Sequence, residues 1–244
     1  MADPTDSPAP KLSIVIPVYN EEGILPSSIA GLRESLSELG HSYEILLAEN
    51  GSTDRTRELM AEVAARHPEV RYSSTGEPNY GRALREGILA ARGELVICDE
   101  IDICDAAFHR SAIELLDGGR AELVVGSKLA AGSEDRRPVF RHGASLLYNG
   151  VLRVALGFRG TDTHGLKAFR RLALLDVVRA CRTERDVFAS ELVIRAERAG
   201  VRVVEVPVRI AEKRPPSINL LRRVPHVALN LAKLVVAVRL NRGR

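Results

Sequence analysis

A chain of 244 residues with 45% hydrophobic and 27% charged content has room for one large α/β domain and the composition to bury a core. Its net charge of +3 is too weak to point to nucleic acid, which is excluded as a partner, and no uncharged apolar run approaches the roughly 20 residues of a membrane-spanning helix. Cys98, Cys104 and Cys181 lack paired spacing and read as reduced thiols of a cytoplasmic protein.

In chain order, residues 1–10 are rich in Pro, Asp and Ser and read as a disordered leader. Leu12–Val18 is a near-continuous apolar run, the pattern of a strand covered on both faces. Glu21–Leu39 follows as a helix, with Ile24, Leu25, Ile29, Leu32, Leu36 and Leu39 as its apolar positions. Tyr43–Ala48 is a second strand, and Asp54–Arg66 a helix that Ser52 or Thr53 would cap. The alternation continues with a strand at Val70–Ser73, a helix at Gly81–Arg92 and a strand at Glu94–Cys98. A helix at Ala106–Leu116 with Asp105 as its N-cap and a strand at Glu122–Gly126 complete it. This order predicts an α/β, Rossmann-like fold, a mostly parallel sheet flanked by helices.

Beyond Ser127 the periodicity loosens. Leu129–Pro138 is polar and reads as a mobile loop whose Arg136 and Arg137 are solvated or close on phosphate. Arg141–Leu156 is helical, Gly160–Arg171 (GTDTHGLKAFRR) is a connecting segment, Glu184–Gly200 is a helix with a Gly stop, and Val201–Ile210 is a strand. The domain is expected over 11–212. Residues 213–244 form a basic loop and an amphipathic helix from about Val224 to Leu240, with no acid among its Lys and Arg residues. Its stripe of Val227, Leu231, Leu234, Val235 and Val238 packs on the domain, makes a homodimer, or lies peripherally on an anionic membrane.

In an open parallel sheet, ligands bind beyond the carboxyl ends of the strands. Those ends here read Pro17-Val18-Tyr19-Asn20-Glu21-Glu22, Glu49-Asn50-Gly51-Ser52-Thr53-Asp54 and Asp99-Glu100-Ile101-Asp102-Ile103-Cys104-Asp105. Four carboxylates in the last of these would repel one another without a cation among them. Glu100 and Asp102, two apart, point to one face of an extended segment and suit a hard divalent cation that keeps positions open for phosphate. The blander reading, an exposed acidic turn, is kept for Asp105.

SIVIPVYNEE, ENGSTD, the acidic EID followed by Ile103, the strand ending in Gly126-Ser127-Lys128, and TDTHGLKAFRR occur in an order that resembles family 2 glycosyltransferases of the GT-A fold. The likeness is nearest to the polyprenyl-phosphate (dolichol-phosphate) mannosyl- and glucosyltransferase branch and covers roughly residues 11–217. The resemblance implies a nucleotide-sugar donor, GDP- or UDP-linked, a lipid-phosphate acceptor, and Mg2+ or Mn2+ as cofactor. Pro17, Tyr19, Glu21, Glu49, Gly51, Ser52 and Asp99 would then line the nucleotide site. Glu100 and Asp102 would hold the metal in an Asp-X-Asp position whose first Asp is Glu. Lys128 and Arg170 would face phosphate, and Ser217 would belong to the acceptor loop. His164, oriented by Asp162, would contact donor or acceptor; Asp186 or Glu191 would be the base if the acceptor were an alcohol. Cys104 stands where such enzymes often carry Gln, and a thiol is a poor ligand for magnesium. Two other readings are a sugar-nucleotide-binding relative with altered catalysis and a nucleotidyltransferase. The acidic Tyr19-Asn20-Glu21-Glu22 lacks the Gly-rich basic loop of the latter, and no G-X-G-X-X-G follows the first strand as a dinucleotide oxidoreductase requires.

Overall fold

The computed structural model of the chain describes residues 8–135, 139–210 and 220–240, with side chains left undescribed at 134–141, 209–228 and 240. The expected leader at 1–7, Arg136 and Arg137, the loop holding Ser217, and the last four residues lie outside the described residues.

A seven-stranded sheet is the spine. Strand β1 (Leu12–Val18) is buried along its whole length, as its unbroken apolar run requires, and lies between β2 (Tyr43–Glu49) and β4 (Leu95–Cys98), parallel to both. Beyond β2 comes β3 (Val70–Ser74). On the other side β7 (Lys167–Arg170) lies between β4 and β5 (Leu123–Ser127), with β8 (Val203–Pro207) at the edge. The sheet is mostly parallel, as expected, but β7 runs antiparallel to both neighbours. A two-residue pair, β6 (Glu134–Asp135) with β9 (Arg209–Ile210), stands apart.

Helices α1 (Leu25–Glu38), α2 (Thr56–Arg66) and α4 (Ala106–Asp117) cover one face, with Leu25, Leu36, Met60 and Leu116 fully buried against Ile14, Ile16 and Ile97. The other face is covered by α3 (Tyr80–Ala90), α5 (Val139–Leu156), α6 (Arg171–Ala180), α7 (Phe188–Arg198) and α8 (Leu220–Leu240), packed on Val15, Val96, Val125 and Phe169. Full burial of one such aliphatic side chain contributes about 1.5–3 kcal/mol, so these two layers supply the main drive for folding.

Several elements differ from expectation for local reasons. Helix α1 starts at Leu25, not Glu21, because Pro26 sets the first turn. Helix α2 starts at Thr56, and neither Ser52 nor Thr53 caps it; Asp54 receives the Thr56 amide at 3.0 Å instead. Asp105 does cap α4, accepting from the amides of Ala107 and Phe108. The long helix expected from Glu184 begins as a 3-10 turn at Arg185–Val187 with Arg185 in the left-handed region. The expected strand Val201–Ile210 breaks at Val208, after Pro207. Helix α8 packs Leu234 and Val238 onto the domain, while Leu229 and Val236 stay about half exposed. The side chain of Val227 is among those left undescribed.

Candidate active site

The turns after β1 and β2 are locked together. The Asn20 amide donates to Ser52 Oγ at 3.1 Å, the Thr53 amide to Asn20 Oδ1 at 2.8 Å, and the Glu21 amide to Thr56 Oγ1 at 2.8 Å. Gly51 makes the turn possible: it sits at φ +74°, and a Cβ there would lie 2.5 Å from the backbone of Glu77 and Pro78. Pro17 is buried beneath this surface and Tyr19 lies open on it, 45% exposed. Glu49 faces inward: its carboxylate accepts from the Ser52 amide and Ser74 hydroxyl and pairs with Arg57 at 3.1 Å. Burial pushes this carboxyl up, but the serine hydrogen bonds and Arg57 outweigh it and hold the group below its ordinary range. Glu49 therefore braces the loop instead of offering an open oxygen to a base.

The acidic segment after β4 divides by role. Asp99 turns back into the protein, with Oδ2 2.6 Å from Nε2 of the fully buried His109 and Oδ1 accepting from the Glu100 amide at 2.7 Å. Its expected direct contact with nucleotide gives way to bracing of the loop. Glu100 and Asp102 are the outward pair, both partly exposed. The Tyr80 hydroxyl donates to Glu100 Oε1 at 2.7 Å. Protein crowding pushes the Glu100 carboxyl up to about 7; Tyr80 opposes this, and Asp102 and Asp99 add to it, while its open face to the cleft tempers the crowding. Such a poorly compensated oxygen pair fits a hard divalent cation. Among the described residues no three His, Cys, Asp or Glu side chains gather as a cage, so the rest of a cation's shell would come from phosphate and water.

Opposite stands a basic group. Lys128, at the end of β5, is 9% exposed and pairs through Nζ with Asp162 Oδ2 at 3.0 Å. The loop before β7 carries His164, whose backbone amide donates to Asp162 Oδ1 at 2.9 Å; the bond fixes the loop and does not touch the ring. Its ring nitrogens lie 3.3 Å from Thr163 Oγ1 and 3.2 Å from the Asp186 carbonyl, and Tyr148 of α5 meets it edge-on at 4.9 Å. Gly165 lets this loop cross β5, since a Cβ there would fall 1.6 Å from the Gly126 carbonyl oxygen. Glu100, Lys128, His164 and Gly165 line one pocket with Leu166 and Val208.

Lys167 was not singled out from sequence. It is 3% exposed in the middle of the sheet, opposite Cys98, and its Nζ donates to the Gly165 carbonyl at 2.7 Å. Burial lowers its pKa, while the negative groups around it, Asp162 and Glu100 included, pull the other way. A lysine on the inward face of an otherwise apolar Leu166-Lys167-Ala168-Phe169 alternation was the available signal.

Two expected site residues lie elsewhere. Arg170 ends β7, whose reversed direction carries it to the opposite edge of the sheet. There it pairs with Glu94 at 2.7 Å and donates to the Leu116 carbonyl at 2.7 Å, far from any phosphate in the cleft. Glu191 is fully buried in α7, where it accepts from the amides of Arg182 and Thr183, from Thr183 Oγ1 and from Arg195 Nε. With those bonds made it cannot reach an acceptor hydroxyl and is not a general base. Asp186 stays beside His164, with Asn230 of α8 3.5 Å from its carboxylate.

Burial, and after it the charge of Lys128, hold His164 at about 4, against a pull upward from Asp162; the ring keeps an open face to solvent, which moderates the burial effect. The unfolded chain therefore takes up this proton first. The contribution to stability is complete above about 6.5 and is lost as pH falls toward 4. A His164→Gln variant is expected to lose less stability than the wild type between pH 7 and pH 5 in urea unfolding; equal losses would show that the ring is not held neutral by its surroundings.

Residues 13–178 match the family model described as Glycosyl transferase family 2. The chain is 29% identical over 219 residues to glycosyltransferase AglD of Haloferax volcanii, covering 88% of this chain and 35% of AglD. It is 31% identical over 214 residues to undecaprenyl-phosphate 4-deoxy-4-formamido-L-arabinose transferase of Klebsiella pneumoniae, covering 86% of this chain and 62% of that enzyme. The chain thus spans less than two thirds of both relatives. Glucosyl-3-phosphoglycerate synthase of Mycobacterium tuberculosis, solved with UDP, superposes with a TM-score of 0.65 at 23% identity, covering 93% of this chain and 80% of the synthase. A complex of the same synthase with Mn2+, UDP and glucosyl-3-phosphoglycerate gives 0.61 at 20% identity, covering 94% and 78%. These superpositions show a shared fold.

Proposed function

The chain belongs to glycosyl transferase family 2 with a GT-A fold, and on that premise we propose that it moves a sugar, with inversion, from a nucleoside-diphosphate donor to a polyprenyl-phosphate acceptor, using Mg2+ or Mn2+. The observation that carries this reading is one pocket lined by the Glu100 carboxylate and by Lys128, with the partly exposed Asp102 two residues after Glu100 and the buried amine of Lys167 beneath, bonded to the Gly165 carbonyl. Such a cleft suits a diphosphate whose charge grows as the sugar departs.

Tyr19 and the joined turns around Gly51 and Ser52 would seat the nucleoside, with Pro17 beneath. Glu21, Glu49 and Asp99 belong to the frame of that seat. Glu100 and Asp102 would hold the cation, which when bound neutralises charge on the leaving diphosphate. Lys128 is fixed by Asp162 and presents positive charge without reorganisation, the condition under which electrostatic stabilisation is largest. His164, held neutral, offers a hydrogen bond rather than a charge.

Two observations favour a lipid phosphate over an alcohol. A phosphate oxygen is already an anion and needs no base, whereas an alcohol would have to give its proton to Asp186, since Glu191 is locked by four hydrogen bonds. Helix α5, which touches His164 through Tyr148, exposes Leu147 (72%) and Val154 (90%) on its other side, an apolar row suited to lipid. The Klebsiella relative is named for an undecaprenyl-phosphate substrate. No helix among the described residues is long and apolar enough to cross a membrane; the contact proposed for the exposed row of α5 is a peripheral one at the cytoplasmic face.

The test has two stages. UDP-glucose, GDP-mannose and related donors are screened by thermal shift with Mn2+; at 100 times its Kd a true donor adds about 2.7 kcal/mol. The donor found is then offered a polyprenyl phosphate or its dephosphorylated alcohol. Transfer to the phosphate alone is expected. Transfer to the alcohol alone overturns the acceptor assignment, and binding without transfer leaves a sugar-nucleotide-binding protein.

A further inference from the structure

The geometry points to Tyr80 as a positioning residue for the cation: its hydroxyl fixes one oxygen of Glu100 and leaves the other to face the cleft. The inference rests on the metal-dependent reading above and names a residue outside the acidic motif.

Glutamate carries one more methylene than aspartate, and with it one more rotatable bond to be ordered before it can act as a ligand. Among the described residues the one hydrogen bond to the Glu100 carboxylate is from the Tyr80 hydroxyl, at 2.7 Å. The hydroxyl is itself held in place from both sides of the chain. Asn79, the N-cap of α3, accepts from the Arg82 amide at 3.1 Å and the Arg185 amide at 3.0 Å and donates to Glu184 at 2.6 Å, while its own amide donates to Asn50. Gly81 sits so close to the Arg185 backbone that a Cβ would come within 2.6 Å of its carbonyl oxygen. The first turn of α3 is thus fastened to the turn after β2 and to the turn before α7, and the Tyr80 ring packs against the core of that layer. A phenol anchored this firmly selects one position for a side chain that would otherwise sample several. Partners that orient metal ligands in this way typically change metal affinity by 10- to 100-fold when removed.

The experiment measures Mn2+ binding by electron paramagnetic resonance, with and without UDP, on the full chain. Tyr80→Phe is expected to weaken Mn2+ about tenfold with its melting temperature unchanged. Glu100→Asp draws the carboxylate back by about 1.5 Å, one C–C bond, out of reach of the hydroxyl. Adding Tyr80→Phe to Glu100→Asp should therefore cost nothing more, an interaction that a purely structural role for the ring would not produce. Wild-type affinity in Tyr80→Phe, or the same tenfold loss in the Glu100→Asp background, overturns the assignment. Absence of Mn2+ binding by the wild type, with or without UDP, would instead overturn the metal-dependent reading on which it rests.

Discussion

An Asp102→Ala variant is expected to fold normally, to lose Mn2+ binding and to transfer sugar about 10^2- to 10^3-fold more slowly than the wild type. Its structural cost is small because Asp102 is partly exposed and makes no hydrogen bond or ion pair with a described residue; substitutions at such places usually stay within about 0.5 kcal/mol. Its functional cost is large because it takes away a ligand of the cation that would neutralise the charge building on the leaving group. Removing one preorganised electrostatic contact of that kind typically costs about 2.7–4 kcal/mol of transition-state stabilisation. Single-turnover transfer at saturating Mn2+, with melting curves on the same samples, checks both halves. Full transfer by this variant would remove the cation from the reaction.

Glu191→Ala should behave in the opposite way, with a loss of stability of about 3–5 kcal/mol and near-normal transfer per folded molecule. Its carboxylate is wholly buried, accepts four hydrogen bonds and pairs with Arg195, which is itself only 13% exposed. Truncation strands a largely buried guanidinium and leaves the Thr183 amide and hydroxyl without their acceptor, a loss of the size found when one partner of a buried ion pair is removed. Urea unfolding gives the first number, and transfer at low temperature, corrected for the folded fraction, gives the second. If the folded variant transferred a hundredfold more slowly, Glu191 would have to be restored to the chemistry.

The sequence discloses parallel strands well because a strand buried on both faces has little choice of residues. Leu12–Val18 and Tyr43–Ala48 are apolar runs that few other environments allow, and Pro and Gly punctuation brackets the helices between them. The reversal of β7 is not legible in this way. Four residues reading Lys-Ala-Phe-Arg alternate equally well in either direction, and direction is set by what packs on them, not by their own pattern. The misplacement of Arg170 follows directly from that. The burial of Glu191 and Asp99 is hidden for a different reason: a carboxylate looks the same in sequence whether it meets solvent or a buried partner. Arg195, one turn after Glu191, was a visible hint of pairing, whereas His109 reaches Asp99 only because α4 folds back onto the sheet. The spacing of Glu100 and Asp102 was read as that of an extended segment, whereas residues 101–103 form a turn closed on the Glu100 carbonyl; both side chains are partly exposed there. Tyr80 and Lys167 were not legible, since each acts through a neighbour distant in the chain.

The reversed strand also decides what Arg170 is for. Because Leu95 lies beside Arg170 and Cys98 beside Lys167, sliding β7 by one residue would turn the lysine to the other layer of helices and put the methyl of Ala168 in its place. The clamp of Arg170 on Glu94 and the Leu116 carbonyl holds the strand against that slide from the far rim. An arginine remote from the cleft thus works as a stop on a short rail, keeping the amine of Lys167 on the Gly165 carbonyl.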